Sequence, residues 1–215
     1  MIAPADRALV RLYWPVALRP AFDALFGIDD AMAAVVRTST GAALGAIRLA
    51  WWREALSHLD RAPPPAEPHL QAAATELLPR GVTGAALAGL EDGWLALIEE
   101  APRGDDVAAA VASRGERLFA IGAGLFGADD RNLASAGATY ALAAATRFAT
   151  DRASADVLAA AARAIPAHRF AKPLRPLTAL TALARRDLAA FPDREPEGTP
   201  GRALALIVHR LTGRT

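Results

Sequence analysis

Arg48-Leu-Ala-Trp51-Trp52-Arg53-Glu54 is the string whose residue types could do the most chemistry in this chain. On a helix, adjacent tryptophans point in different directions and together cover a broad arc. One reading places both in a bundle core, with Arg48 and Arg53 on the flanks. The other makes this helix the wall of an apolar cleft, where Arg48 offers its charge to an anionic head group. His58 follows Glu54 by four residues, the spacing of an ordinary surface contact.

Three aspartate pairs invite a metal: Asp29-Asp30, Asp105-Asp106 and Asp129-Asp130. Neighbouring residues on a helix diverge, so each pair chelates poorly. Asp105-Asp106 and Asp129-Asp130 stand where helices should begin and read as N-caps. Asp29-Asp30 falls inside a helical stretch and reads as a solvated face. Gly122-Ala-Gly124-Leu-Phe-Gly127 spells the dinucleotide fingerprint, which needs a strand before it. Here a helical stretch precedes it, so close helix packing and then a helix stop are expected. The histidines at 58, 69, 168 and 209 lack metal-ligand spacing, and no G-x-S-x-G elbow occurs. Cysteine is absent, which removes disulfides, thiolate metal sites and a cysteine nucleophile.

Positioning these residues falls to helices. About a quarter of the 215 residues are alanine, the best helix former, and strand-favouring residues are sparse. Gly and Pro cut the chain into helix-length pieces at 6–14, 16–38, 40–60, 68–78, 83–100, 104–127, 129–147, 153–164, 174–190 and 201–212. Leu44, Ile47, Trp51 and Ala55 form an apolar stripe on the third piece, with Arg48 and Trp52 alongside. Leu87, Leu90, Trp94 and Ile98 form another on the fifth. Proline-rich loops are expected at 61–68 and 191–200. The prediction is an all-α, single-domain helical bundle over 1–215, without a fixed-period repeat.

A net charge of +1 gives no whole-molecule case for nucleic acid. No stretch has the apolar length of a transmembrane span and no signal peptide is visible, so a cytoplasmic protein is expected. No segment has the basic, strongly amphipathic pattern of an interfacial anchor.

The Trp-Trp string, with Arg19-Pro-Ala-Phe-Asp-Ala-Leu-Phe26 before it, resembles the first two main helices of bacterial squalene/phytoene synthases. Ser113-Arg-Gly through Leu125-Phe-Gly127 and the C-terminal His209-Arg-Leu-Thr-Gly-Arg214 resemble the same family. That likeness implies an isoprenoid synthase bundle. Active members join two prenyl diphosphates head to head, with Mg²⁺ held by aspartate-rich motifs on facing helices. The candidate cleft residues are Arg37, Arg48, Trp51, Trp52, Tyr140 and Arg147, the arginines by analogy with other arginine clamps on phosphates.

Mg²⁺ binding of that kind needs carboxylates at i and i+4 on one helix face. Only Asp193 and Glu197 have that spacing, and they sit in a proline-rich loop. Where the family's first motif should fall the chain reads Ala33-Ala-Val-Val-Arg37, and where the second should fall, Phe148-Ala-Thr-Asp151-Arg152. The expectation is a catalytically degenerate member without a metal, similar to the branch that assembles respiratory complex I. It would bind a prenyl diphosphate or lipid, or a protein partner, with a peripheral contact at the inner membrane. The alternative is an active prenyl transferase whose diphosphates rest on Arg37, Arg48 and Arg147. A third reading has the ancestral cleft collapsed into core.

Overall fold

Alanine-rich stretches broken by Gly and Pro leave the chain little choice but short helices, and the computed structural model shows them packed as one bundle. It describes residues 5–98 and 104–215. The helices are α1 (Ala5–Arg11), α2 (Arg19–Thr38), α3 (Ala42–His58), α4 (Pro68–Glu76), α5 (Gly84–Ala88) and α6 (Glu91–Leu95). They continue as α7 (Gly104–Leu125), α8 (Leu133–Ala145), α9 (Arg152–Ala164), α10 (Arg175–Ala190) and α11 (Pro200–Thr212). Among the described residues there is no strand, only an isolated bridge between Arg169 and Arg214.

Local chemistry sets several helix starts. Pro20, Pro68 and Pro176 sit in first turns, where the missing N–H costs nothing. Glu67, Thr83, Asp151 and Thr199 each cap a helix by accepting a backbone N–H with the side chain. Asp129-Asp130 does not start a helix. Each carboxylate accepts a backbone N–H within the preceding turn, and α8 begins at Leu133. Nor is 83–100 one helix. It breaks into α5 and α6 around Gly89, while residues 99–100 lie outside the described set.

The long helix α2 supplies the core, burying Phe22, Leu25, Phe26, Ile28, Met32 and Val35. Trp14 and Phe26 stack on Phe22 with centroids 4.7 and 4.6 Å away. The α7–α8 crossing is closest at Gly115 and Gly137. A Cβ on Gly115 would stand 2.1 Å from the Gly137 carbonyl oxygen, and one on Gly137 would stand 2.2 Å from that of Gly115. Of the fingerprint-like glycines, Gly122 packs against Leu177 and Gly127 (φ +59°) follows the end of α7 in the left-handed region.

α3 departs from its expected stripe. It buries Gly45, Leu49, Trp52 and Leu56, and leaves Leu44, Ile47 and Trp51 exposed. The two tryptophans therefore part company: Trp52 is core, and Trp51 meets it edge-on from outside at 5.2 Å. Neighbours 100° apart cannot share one buried face.

Candidate functional site

Three helix faces with i, i+3/i+4, i+7 spacing converge on a central cavity of about 260 Å³. α2 brings Asp29, Asp30, Ala33 and Arg37. α8 and the residue pair after it bring Tyr140, Ala143, Ala144, Arg147 and Phe148, and α10 brings Leu180, Leu183, Ala184 and Asp187. Arg7 and Asp6 of α1, Trp94 of α6, Arg114 of α7, Glu197 of the 191–200 loop and Arg202 of α11 complete the lining.

Asp29-Asp30 is not a solvated face. The Asp29 carboxylate is buried and accepts the Trp94 indole N–H at 2.9 Å and an Arg114 N–H at 2.5 Å. Asp30 is paired with Arg7, one contact measuring 2.8 Å. A bundle core has no water to solvate a carboxylate, so a guanidinium must take its place.

The other three acids are also taken. Arg202 donates to Asp6 at 2.8 and 2.9 Å and to Asp187 at 2.5 Å. Arg147 donates to Glu197 at 2.8 Å and reaches Asp187 at 3.5 Å. The residues four places after Asp29 and Asp30 are Ala33 and Ala34. Among the described residues no group of three or more His, Asp or Glu side chains is placed to hold a metal.

Burial pushes the Asp30 carboxyl upward against the pull of Arg7. It also pushes the Tyr140 phenol up, which keeps the hydroxyl protonated. Burial works against charge on Arg7 and Arg202 too, but Asp30 outweighs it for the first, and Asp187 and Asp6 for the second. Both guanidiniums are held above their ordinary value.

Two cations at the cavity have capacity left over. Arg114 is buried with its guanidinium 3.9 Å from the Trp94 ring centroid, and its Nε and Nη2 have no hydrogen-bond partner. Arg37 is exposed. Its guanidinium lies 5.7 Å from the Phe148 ring centroid, and no carboxylate pairs with it among the described residues.

Of the sequence candidates, the structure brings Arg37, Tyr140 and Arg147 together at the cavity. Arg48, Trp51 and Trp52 lie outside its lining. Arg48 donates to Thr38 Oγ1 and Ser39 Oγ at 3.2 and 3.3 Å, tying α3 to the end of α2. Arg7, Arg114, Asp187 and Arg202 were not anticipated. The legible signal was an arginine on an otherwise apolar helical face, as at Val111, Arg114, Leu118.

Comparison with family models, with curated proteins and with solved structures finds no match to this chain.

Proposed function

We propose that this chain is a divergent squalene/phytoene synthase-like protein that binds one anionic amphiphile, such as a prenyl phosphate or phospholipid, without metal-dependent prenyl transfer. The observation that carries this reading is Arg114, a buried guanidinium at the cavity with two nitrogens unpartnered. A buried donor without an acceptor is costly, and a small shift of the side chain toward the cavity would bring these enclosed nitrogens to an anionic oxygen. Arg37 adds a second cation at the rim, while Phe148, Leu180 and Leu183 offer apolar wall to a hydrocarbon chain.

The alternative of head-to-head condensation has less support. Every carboxylate at the cavity is engaged by a guanidinium, so these residues do not fit a Mg²⁺–diphosphate site. A cavity of about 260 Å³ is below the roughly 300–1,000 Å³ of ordinary ligand pockets: it has room for one head group and the start of its chain, not for two diphosphates with theirs. A role in respiratory-complex assembly, implied by the family likeness, would use the same cleft as a lipid-binding module.

Calorimetry with a non-hydrolysable farnesyl diphosphate analogue, with and without Mg²⁺, tests this reading. Metal-independent binding is expected, weakened about tenfold by Arg37→Ala and unchanged by Arg48→Ala. Binding that requires Mg²⁺ would move the transferase to the front. Absence of binding in both buffers would retire the cleft and turn attention to protein partners.

A further inference from the structure

α11 is built with its polarity reversed. A surface helix normally turns its apolar stripe to the core and its polar face to water. Here the inward face carries Arg202, Leu206 and His209, all buried. The outward face carries Leu204, Ile207, Val208 and Leu211, each between 49% and 73% exposed. Their spacing makes one continuous stripe.

The reversal is held in place by satisfied partners. Arg202 is bound by Asp6 and Asp187. His209 Nδ1 lies 2.7 Å from the Arg214 carbonyl oxygen, and its Nε2 lies 3.1 Å from Thr178 Oγ1. Rotating α11 to bury the aliphatic stripe would tear these groups from their partners and leave charge unpaired. The apolar face therefore stays outward.

Beside the C-terminal half of the stripe the charge is of one sign, while at its start Glu195 lies against Gly201 and is paired with Arg186. Lys172, Arg175 and Arg210 line a surface recess of about 340 Å³ together with Tyr13 and Leu211. Arg175 caps α11 by donating to the carbonyls of Arg210 and Leu211 at 2.8 and 3.0 Å. The Arg210 guanidinium lies 5.0 Å from the Tyr13 ring centroid. Neither Lys172 nor Arg210 has a carboxylate partner among the described residues, and segments 166–176 and 200–215 contain no Asp or Glu.

A second copy of the chain fits this face poorly. Four partly exposed aliphatic side chains offer roughly half of the ~800 Å² per partner that a stable interface buries. An anionic bilayer fits better. Contrary to the sequence expectation of no interfacial anchor, the fold sets a shallow apolar stripe beside cations that come partly from another segment. A bilayer accepts the one and supplies phosphates to the other.

We propose that α11 docks on an anionic lipid surface. Leu204, Ile207, Val208 and Leu211 enter the boundary between head groups and acyl chains. Lys172, Arg175 and Arg210 face the lipid phosphates. This surface is distinct from the cavity, and the inference stands or falls without it.

Flotation of the full chain with phosphatidylcholine vesicles, with and without about a third phosphatidylglycerol, is the test. Wild type should float with the anionic vesicles and be released by salt. Ile207→Ser with Leu211→Ser should lose at least about tenfold in binding, and so should Lys172→Glu with Arg210→Glu. Both pairs change exposed side chains, and unchanged thermal melts will show that the fold is kept. The proposal is overturned if wild type floats with neither vesicle, if it floats equally with both, or if the serine pair floats like wild type. A wild-type dimer that the serine pair dissociates, with no flotation, would assign the face to a second copy.

Discussion

Arg114 of α7 and Asp29 of α2 form a buried ion pair, 2.5 Å between Nη1 and Oδ1, that ties two helices far apart in the chain across the cavity. Trp94 joins them by donating to the same carboxylate oxygen and lying against the guanidinium. Removing one partner strands the other charge in the core, whereas removing both does not. Asp29→Ala should therefore cost about 3–5 kcal/mol. Asp29→Leu combined with Arg114→Met should cost far less than the single change. Urea denaturation of the three proteins decides the matter, and a double variant as unstable as Asp29→Ala would show that packing, not charge, dominates there.

The adjacent tryptophans should behave as opposites. Trp52→Ala removes a buried ring from the core and should lower stability by about 3–5 kcal/mol. Trp51→Ala trims an exposed ring and should change it by less than about 1 kcal/mol. Similar melting losses in both would contradict the orientation of α3.

Glycine at the α7–α8 crossing is there for contact, not flexibility. Gly115→Ala places a methyl against the Gly137 backbone and should cost about 1–3 kcal/mol, although alanine is the better helix former. Gly124→Ala on the same helix meets nothing within 4 Å and should be neutral or stabilising. The denaturation midpoint should fall for Gly115→Ala and hold or rise for Gly124→Ala.

Acid should weaken the fold through His209. Burial holds its imidazole below the ordinary value of 6.5, against the pull of the Arg214 and Arg175 carbonyls. Above that value the ring is neutral in both states. As pH falls through it, the unfolded chain takes up a proton that the folded chain refuses, so stability drops toward the lower folded value. Tm should decrease between about pH 7.5 and 5.5, and His209→Gln should flatten the slope. An unchanged slope in that variant would assign the pH dependence elsewhere.

Helices were largely legible because they are local. Alanine content, proline at helix starts and polar caps act within a few residues, so most of the predicted pieces correspond to observed helices. Failures came where tertiary contact competes with periodicity. The stripe Leu44, Ile47, Trp51 has helical spacing, yet α3 turns Leu49, Trp52 and Leu56 inward against its neighbours. α11, to which the sequence reading assigns no buried stripe, also points a periodic aliphatic face outward.

The cavity was half visible. Of the candidates, Arg37, Tyr140 and Arg147 do line it, but Arg48 follows Arg37 by 11 residues and lies outside the lining.

By itself, the sequence determined an all-α chain, its main breaks and the confinement of i, i+4 carboxylate spacing to the 191–200 loop, since these depend on residue type and near-neighbour spacing. Only the tertiary structure decided which acids meet which arginines. Asp29 finds Arg114 across 85 positions, and Asp6 finds Arg202 across 196. A buried charge is tolerated only where a distant helix delivers its counter-charge, and that delivery is a property of packing.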